Sequence, residues 1–142
     1  RSFEGHTHHV LGVTWRADGR LMASSGADNV IKVWDTRTGD QARTVQNQFS
    51  KEVTTVNFVG ETDNVIASSG DAKVKFINAA NGGNVRDFPG SGDYMYSAAA
   101  SADGKTIIAG GADSVLRVWT DNGQVFATFE APKAGGAQTA AK

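Results

Sequence analysis

The sequence predicts an all-β chain in which one unit is used three times, and three observations predict it. The stretch that runs from Ser24 through Gly26, Asp28 and Val33 to Trp34 and Asp35 returns in weaker form around Asp71 and Asp113, which places these aspartates 43 and 42 residues apart. Seventeen glycines against two prolines suit many short strands joined by tight turns. Lys73 and Lys75 alternate with Val74 and Phe76, the period of two that marks a strand with one wet side. A hydrophobic content of 39% is enough to bury a core over 142 residues.

Each element follows in order. Val10, Val13 and Trp15 supply the apolar positions of a first, inner strand, and Ala17-Asp18-Gly19 makes the turn into a second strand over Leu21 to Ser24, with Gly19 at positive φ. A turn at Ala27-Asp28-Asn29 leads to a third strand that ends in Trp34. Thr38-Gly39 then sends the chain outward to a fourth at Ala42 to Val45. The second unit has Val53, Val56 and Phe58 on its inner strand. Its hairpin, Val59 to Asn64, reads as one residue longer, with one residue dropped before Asp71. The third has Met95, Ala98 and Ala100, a thin inner strand beside which Tyr96 is expected to fill space, and repeats the first turn at Ala102-Asp103-Gly104. Phe88 and Phe129 end the later outer strands, and residues 1–4, around Phe3, read as one more.

A net charge of −1 gives no long-range attraction to nucleic acid or an anionic membrane, so neither is expected as a partner. No apolar run approaches the roughly 18 residues of a membrane-spanning helix. The absence of cysteine excludes disulfides and thiolate metal sites and leaves the redox compartment open. The chain begins at Arg1, inside the repeat pattern, which leaves room upstream for a leader or earlier units.

A period of about 40–45 residues that ends in Trp-Asp (Trp34-Asp35) and carries Gly-His upstream (Gly5-His6) resembles the WD40-repeat family, over residues 1 to about 131. The resemblance implies three four-stranded antiparallel blades of a β-propeller at about 1–35, 42–78 and 85–120. It adds an extra outer strand at 124–130 and leaves 132–142 as a flexible tail. It also implies a hydrogen-bonded tetrad of His6, Ser24, Asp28 and Trp34 that locks the first blade. The second blade keeps Ser68 and Asp71 but has Ile77 for the tryptophan and Gln48 near the histidine place. The third keeps Asp113 and Trp119 but has Ala109 and Ser91. Replacing Trp34 or Asp28 is therefore expected to cost more stability than replacing Asp113, a simple turn cap.

His6, His8 and His9, with Glu4 or Asp93, offer the residue types of a metal site, but in no ordered ligand spacing; no metal or other cofactor is expected. Ser24, His6 and Asp28 name the parts of a hydrolytic triad, yet the tetrad would bury all three, so no enzyme activity is expected. Recognition is expected on the loop face, at His8, His9, Asn29, Lys51, Glu52, Lys73, Asp93 and Tyr94, with Tyr94 as the main anchor for a protein or peptide.

The functional expectation is a non-catalytic interaction scaffold forming part of a propeller. The alternative is an excised or engineered piece whose property is to close a ring with copies of itself. Three blades are too few for a ring, so a homo-oligomer is expected, a six-bladed dimer before a nine-bladed trimer. In such a ring the Phe3 and Phe129 strands compete for one outer edge, and the Phe129 strand is expected to win.

Overall fold

Valines, isoleucines and aromatics packed at every second position favour a pleated, half-buried backbone, and they build three separate antiparallel sheets. A computed structural model describes residues 1–133; of the tail expected at 132–142, residues 134–142 lie outside the described residues. The first sheet holds β1 (Val10–Trp15), β2 (Leu21–Gly26), β3 (Ile31–Asp35) and β4 (Gln41–Val45) in that order. The second holds β5 (Val53–Phe58), β6 (Asn64–Ser69), β7 (Val74–Asn78) and β8 (Asn84–Asp87), and the third β9 (Met95–Ala100), β10 (Thr106–Gly111), β11 (Leu116–Thr120) and β12 (Val125–Phe129). These are three four-stranded antiparallel blades of an all-β architecture.

The first hairpin of every blade has the same length. Gly19 and Gly104 turn it at φ 70° and 71°, and Asp18 and Asp103 cap it by accepting the N–H groups of Arg20 and Lys105. The longer second hairpin read from the sequence does not exist, nor does the compensating loss before Asp71. Phe58 and Asn64 stand at the same places as Trp15 and Leu21. The left-handed residue of the second turn also recurs, as Asn29, Ala72 and Ser114.

The core lies between sheets and not within one. Ala23, Ile31, Val33 and Val45 of the first blade pack on Val53, Val56, Val65, Ala67 and Ile77 of the second. Ile66, Val74, Phe76 and Phe88 on its other face pack on Met95, Ala98, Ile107, Ala109 and Trp119 of the third. Alternation along a strand thus gives the second blade two buried faces. Each fully buried Val, Ile or Phe contributes about 1.5–3 kcal/mol. Polar pins cross the same seams: Phe58 N–H donates to Thr14 Oγ1 (3.1 Å), Ala98 N–H to Thr55 Oγ1 (3.2 Å) and Asn57 Nδ2 to the Ala98 carbonyl (3.0 Å).

Three local expectations change. Residues 1–4 form no strand; Phe3 lies on the face of the first sheet, its ring 5.6 Å from Trp34 and edge-on to it, where no free sheet edge offers ladder partners. Tyr96 is exposed and does not fill the space beside the alanines; buried Met95 and Ile107 do. Lys75 is not on a wet side. It is paired in the register with Ala67 on the face turned to the first blade, and its buried stem ends in an ion pair with Asp87 (2.9 Å).

Candidate functional site

The most organised polar cluster sits on the first blade's face away from the second blade. β2 and β3 bring Ser24 and Trp34 to that face, and the turn between them supplies Asp28. His6 arrives from the segment before β1. Its Nδ1 lies 2.9 Å from Asp28 Oδ2 and its Nε2 lies 2.8 Å from Ser24 Oγ, while Trp34 Nε1 donates to Ser24 Oγ at 2.9 Å. Thr7 N–H also donates to Asp28. A carboxylate that accepts from Thr7 and His6 places the imidazole proton on Nδ1, so Nε2 accepts the Ser24 hydroxyl and the serine oxygen receives the indole N–H.

Burial works against the Asp28 charge, but the Thr7 N–H and the His6 ring outweigh it and hold the carboxyl below its ordinary range. Serine, histidine and aspartate thus have the connectivity of a nucleophilic triad. Ser24 is nevertheless buried, and its oxygen already accepts from Trp34, so the arrangement fixes a loop to a sheet and offers no nucleophile to a substrate.

The sister blades solve the same place differently. Ser24 pairs with Val13 and Lys32, and Ala67 pairs with the matching Val56 and Lys75, so Ala67 is the counterpart of Ser24. The assignment of Ser68 to this role is corrected: it faces the third blade and hydrogen-bonds Thr54 and Thr55. Buried Phe49, not Gln48, takes the histidine place, since Ser50 N–H binds Asp71 as Thr7 N–H binds Asp28. With Ala67 and Ile77 it replaces the polar set by apolar side chains, beside the buried stem of Lys75.

In the third blade Ala109 offers no acceptor, and Trp119 donates instead to the Pro89 carbonyl (2.9 Å). Asp113 is more than a turn cap: it accepts Val115 N–H and forms an ion pair with the largely buried Arg117 at 2.6 Å. That contact is also the main cause of its lowered pKa. Arg117 follows Asp113 by four residues in the sequence, a spacing that could have flagged the pair.

On the loop face, the structure brings together some of the residues read from the sequence and leaves others apart. Tyr94 Oη donates to Glu52 Oε1 at 2.8 Å across the seam between the second and third blades, and the tyrosine ring lies directly over Gly70. A shallow cleft of about 300 Å3 beside it is lined by Lys51, Asp71, Asp93 and Tyr94 with Gly70, Ala72 and Gly92. Lys73 pairs with Asp71 at 3.3 Å. Asp71 is held below the ordinary carboxylate range: burial opposes ionisation, and the Ser50 and Ser69 donors with Lys73 prevail.

Asn29, at positive φ, reaches the Ser50 carbonyl at 3.5 Å, whereas His8 and His9 stack edge-on with each other (4.6 Å) on the first blade, apart from the cleft. Among the described residues no three His, Asp or Glu side chains are placed to hold one metal ion. No helix of the described residues is long and apolar enough to cross a membrane.

Comparison with known proteins agrees with this geometry. The family model "WD domain, G-beta repeat" matches residues 1–35 and 82–120, just over half of the chain. The gap between the two matches contains most of the second blade, where Phe49, Ala67 and Ile77 replace the polar set. The chain is 32% identical over 124 residues to WD repeat-containing protein slp1 of Schizosaccharomyces pombe, an alignment that covers 84% of this chain and 25% of that protein. It is 34% identical over 88 residues to APC/C activator protein CDC20 of Saccharomyces cerevisiae (56% and 13% covered). It is 27% identical over 140 residues to COMPASS component SWD3 of the same yeast (91% and 44% covered). The chain therefore spans a quarter of the slp1 protein and less than half of the other two.

Proposed function

The chain belongs to the WD40-repeat family, and from that premise we propose that it is a non-catalytic interaction scaffold whose loop face docks an extended protein or peptide segment beside Tyr94. The observation that carries this reading is the cleft between the second and third blades, where Lys51, Asp71 and Asp93 surround a tyrosine fixed by Glu52. A ring already held by a hydrogen bond loses little entropy when a partner covers it, which is what a binding anchor requires. Mixed charge around the anchor favours a partner segment that is itself of mixed polarity, not nucleic acid or membrane. The names of two relatives, an activator of one assembly and a component of another, support a role in bringing proteins together. No catalytic step enters the reading, because the triad-like set of His6, Ser24 and Asp28 has its serine oxygen occupied by Trp34.

Peptides selected from a displayed random library against the whole chain test the proposal. They are expected to lose about 2 kcal/mol of affinity, some thirtyfold, with Tyr94→Ala, and less with Lys51→Glu at the rim. Selected peptides that bind both variants as tightly as the original chain would move recognition elsewhere.

A further inference from the structure

The two seams between blades are finished differently at the end of the strands away from the Tyr94 cleft. Arg16, Val59 and Ser101 hold the same place in the three blades, since each donates its backbone N–H to the residue that opens the second strand, at the carbonyls of Leu21, Asn64 and Thr106. In the first seam Arg16 crosses to Asp63 of the second blade, while its Nε and Nη2 grip Asp18 at 3.0 and 2.8 Å. Leu21 packs on the apolar cluster of that seam, and Ala79 is buried. An arginine drawn from within the chain thus closes the first seam.

The second seam lacks all three of these residues. Val59 stands for Arg16 and Asn64 for Leu21. Asp121 stands for Ala79, because the N–H groups of Ala79 and Asp121 donate to the carbonyls of Asp63 and Lys105, each one residue before the second strand. What remains between the second and third blades is a cleft of about 260 Å3, with Val59, Phe76 and Val85 as its apolar wall and Asn64, Asp103 and Asp121 as polar groups along it.

Those polar groups are not used up inside the chain. Among the described residues the Asn64 side-chain amide has no hydrogen-bond partner, only its backbone groups being bonded, and the Asp121 carboxylate accepts no hydrogen bond and pairs with no cation. Asp103 accepts from Ser101 Oγ and from Lys105 N–H on the single atom Oδ1, which leaves Oδ2 open. Arg86 also lines the cleft and gives its Nη1 to the Asn122 carbonyl at 2.9 Å. Two carboxylates against one cation leave the charge of the lining negative.

We propose that this cleft is a socket for an arginine side chain presented by a partner protein segment, in the place that Arg16 fills from inside in the first seam. Val59, Phe76 and Val85 take the aliphatic stem. Asp121 and the open Asp103 Oδ2 take the planar fork, a geometry that arginine matches and lysine does not. The Asn64 amide takes a backbone group of the partner, since it can both donate and accept. The volume suits one long side chain and lies below the roughly 300–1,000 Å3 of small-molecule sites, which favours a residue of a polypeptide over a free ligand. The socket does not rest on the role proposed for Tyr94, which stands at the opposite end of the strands.

The test is a titration of the full chain, followed by amide chemical shifts, with a blocked pentapeptide that carries one central arginine among alanines. Saturable shifts are expected at Val59, Asn64, Asp103 and Asp121, weakening as salt is raised. Asp121→Asn should weaken binding about threefold, the range of an exposed ion pair. Asn64→Leu, which restores the residue type of the first seam, should abolish it; if that variant loses its β-sheet circular dichroism, Asp121→Lys takes its place with the same expectation. Tyr94→Ala should leave the titration unchanged, which separates this socket from recognition on the loop face.

Shifts that miss these four residues, equal binding of a peptide with norleucine in place of arginine, or unchanged affinity in the Asp121 and Asn64 variants would overturn the socket. So would a loss of binding in Tyr94→Ala. A lysine peptide that binds as tightly would overturn the assignment to arginine.

Discussion

Trp34 and Trp119 stand at the same place in the first and third blades and give their indole N–H to different acceptors, Ser24 Oγ in one and the Pro89 carbonyl in the other, each at 2.9 Å. The third blade thus keeps the tryptophan without the serine by moving the acceptor onto the backbone. Ser24→Ala should therefore cost about 1–3 kcal/mol in urea unfolding, because it strands both the Trp34 N–H and His6 Nε2. Ala109→Ser should bring no gain, since Trp119 already has a partner. Equal effects at the two positions would contradict the assignment.

Asp113 should be no cheaper to remove than Asp28, contrary to its sequence reading as a turn cap. Asp113→Ala leaves the Arg117 guanidinium, whose Nη1 is buried without a partner, with no counter-charge. The loss should be about 2–4 kcal/mol and should be largely recovered in the double variant with Arg117→Met. Asp28→Ala, whose partners are His6 and Thr7, should gain nothing from Arg117→Met. A double-mutant cycle in melting experiments measures both.

Stability should depend on pH only on the acid side for these carboxylates. Asp28, Asp71 and Asp113 all have pKa values below the ordinary 3.8 in the folded chain. A group with a depressed folded value contributes fully above its unfolded value and loses that contribution as pH falls through the folded one. The melting temperature is expected to be flat on their account above about pH 5 and to fall steeply below about pH 4. Asp71→Asn should make the acid limb shallower while lowering the plateau.

Ser25→Ala should be neutral or stabilising by about 1 kcal/mol. The Ser25 hydroxyl is buried with no partner, because Gly12 stands where the second blade has Thr55. Its counterpart Ser68 is hydrogen-bonded to Thr54 and Thr55, so Ser68→Ala should be destabilising by a similar amount. Compared by urea midpoint, the two alanine variants should differ by about 1–2 kcal/mol, with Ser68→Ala the less stable.

What was legible in the sequence is what repeats. Asp28, Asp71 and Asp113 fixed the period, and Gly19 with Gly104 fixed the hairpins, because turn geometry leaves few residue choices. The cluster of His6, Ser24, Asp28 and Trp34 was readable from the family pattern, since all four depend on one another. Misreading came where identity was mistaken for position. The Ser68-Ser69-Gly70 run looks like Ser24-Ser25-Gly26, but the ladder aligns Ala67 with Ser24, and a slip of one residue reverses the face of every side chain. Lys75 misled for a different reason: alternation shows that a strand has two sides but not which is covered, and here a whole blade covers the lysine side. Residues 1–4 carry the composition of a strand, but a strand also needs an edge, which is a property of the neighbours and not of the segment.

Because the apolar clusters lie in the seams, the thermodynamic unit of this molecule is the contact between blades, and a blade holds its shape in proportion to how many contacts it shares. Among the described residues the second blade takes part in both seams and the first and third in one each, as in a short one-dimensional cooperative array. Opening should therefore travel inward from the ends, with amide hydrogens of β5, β6 and β7 the last to exchange, so that the blade with the least family-like sequence is the one that dissolves last.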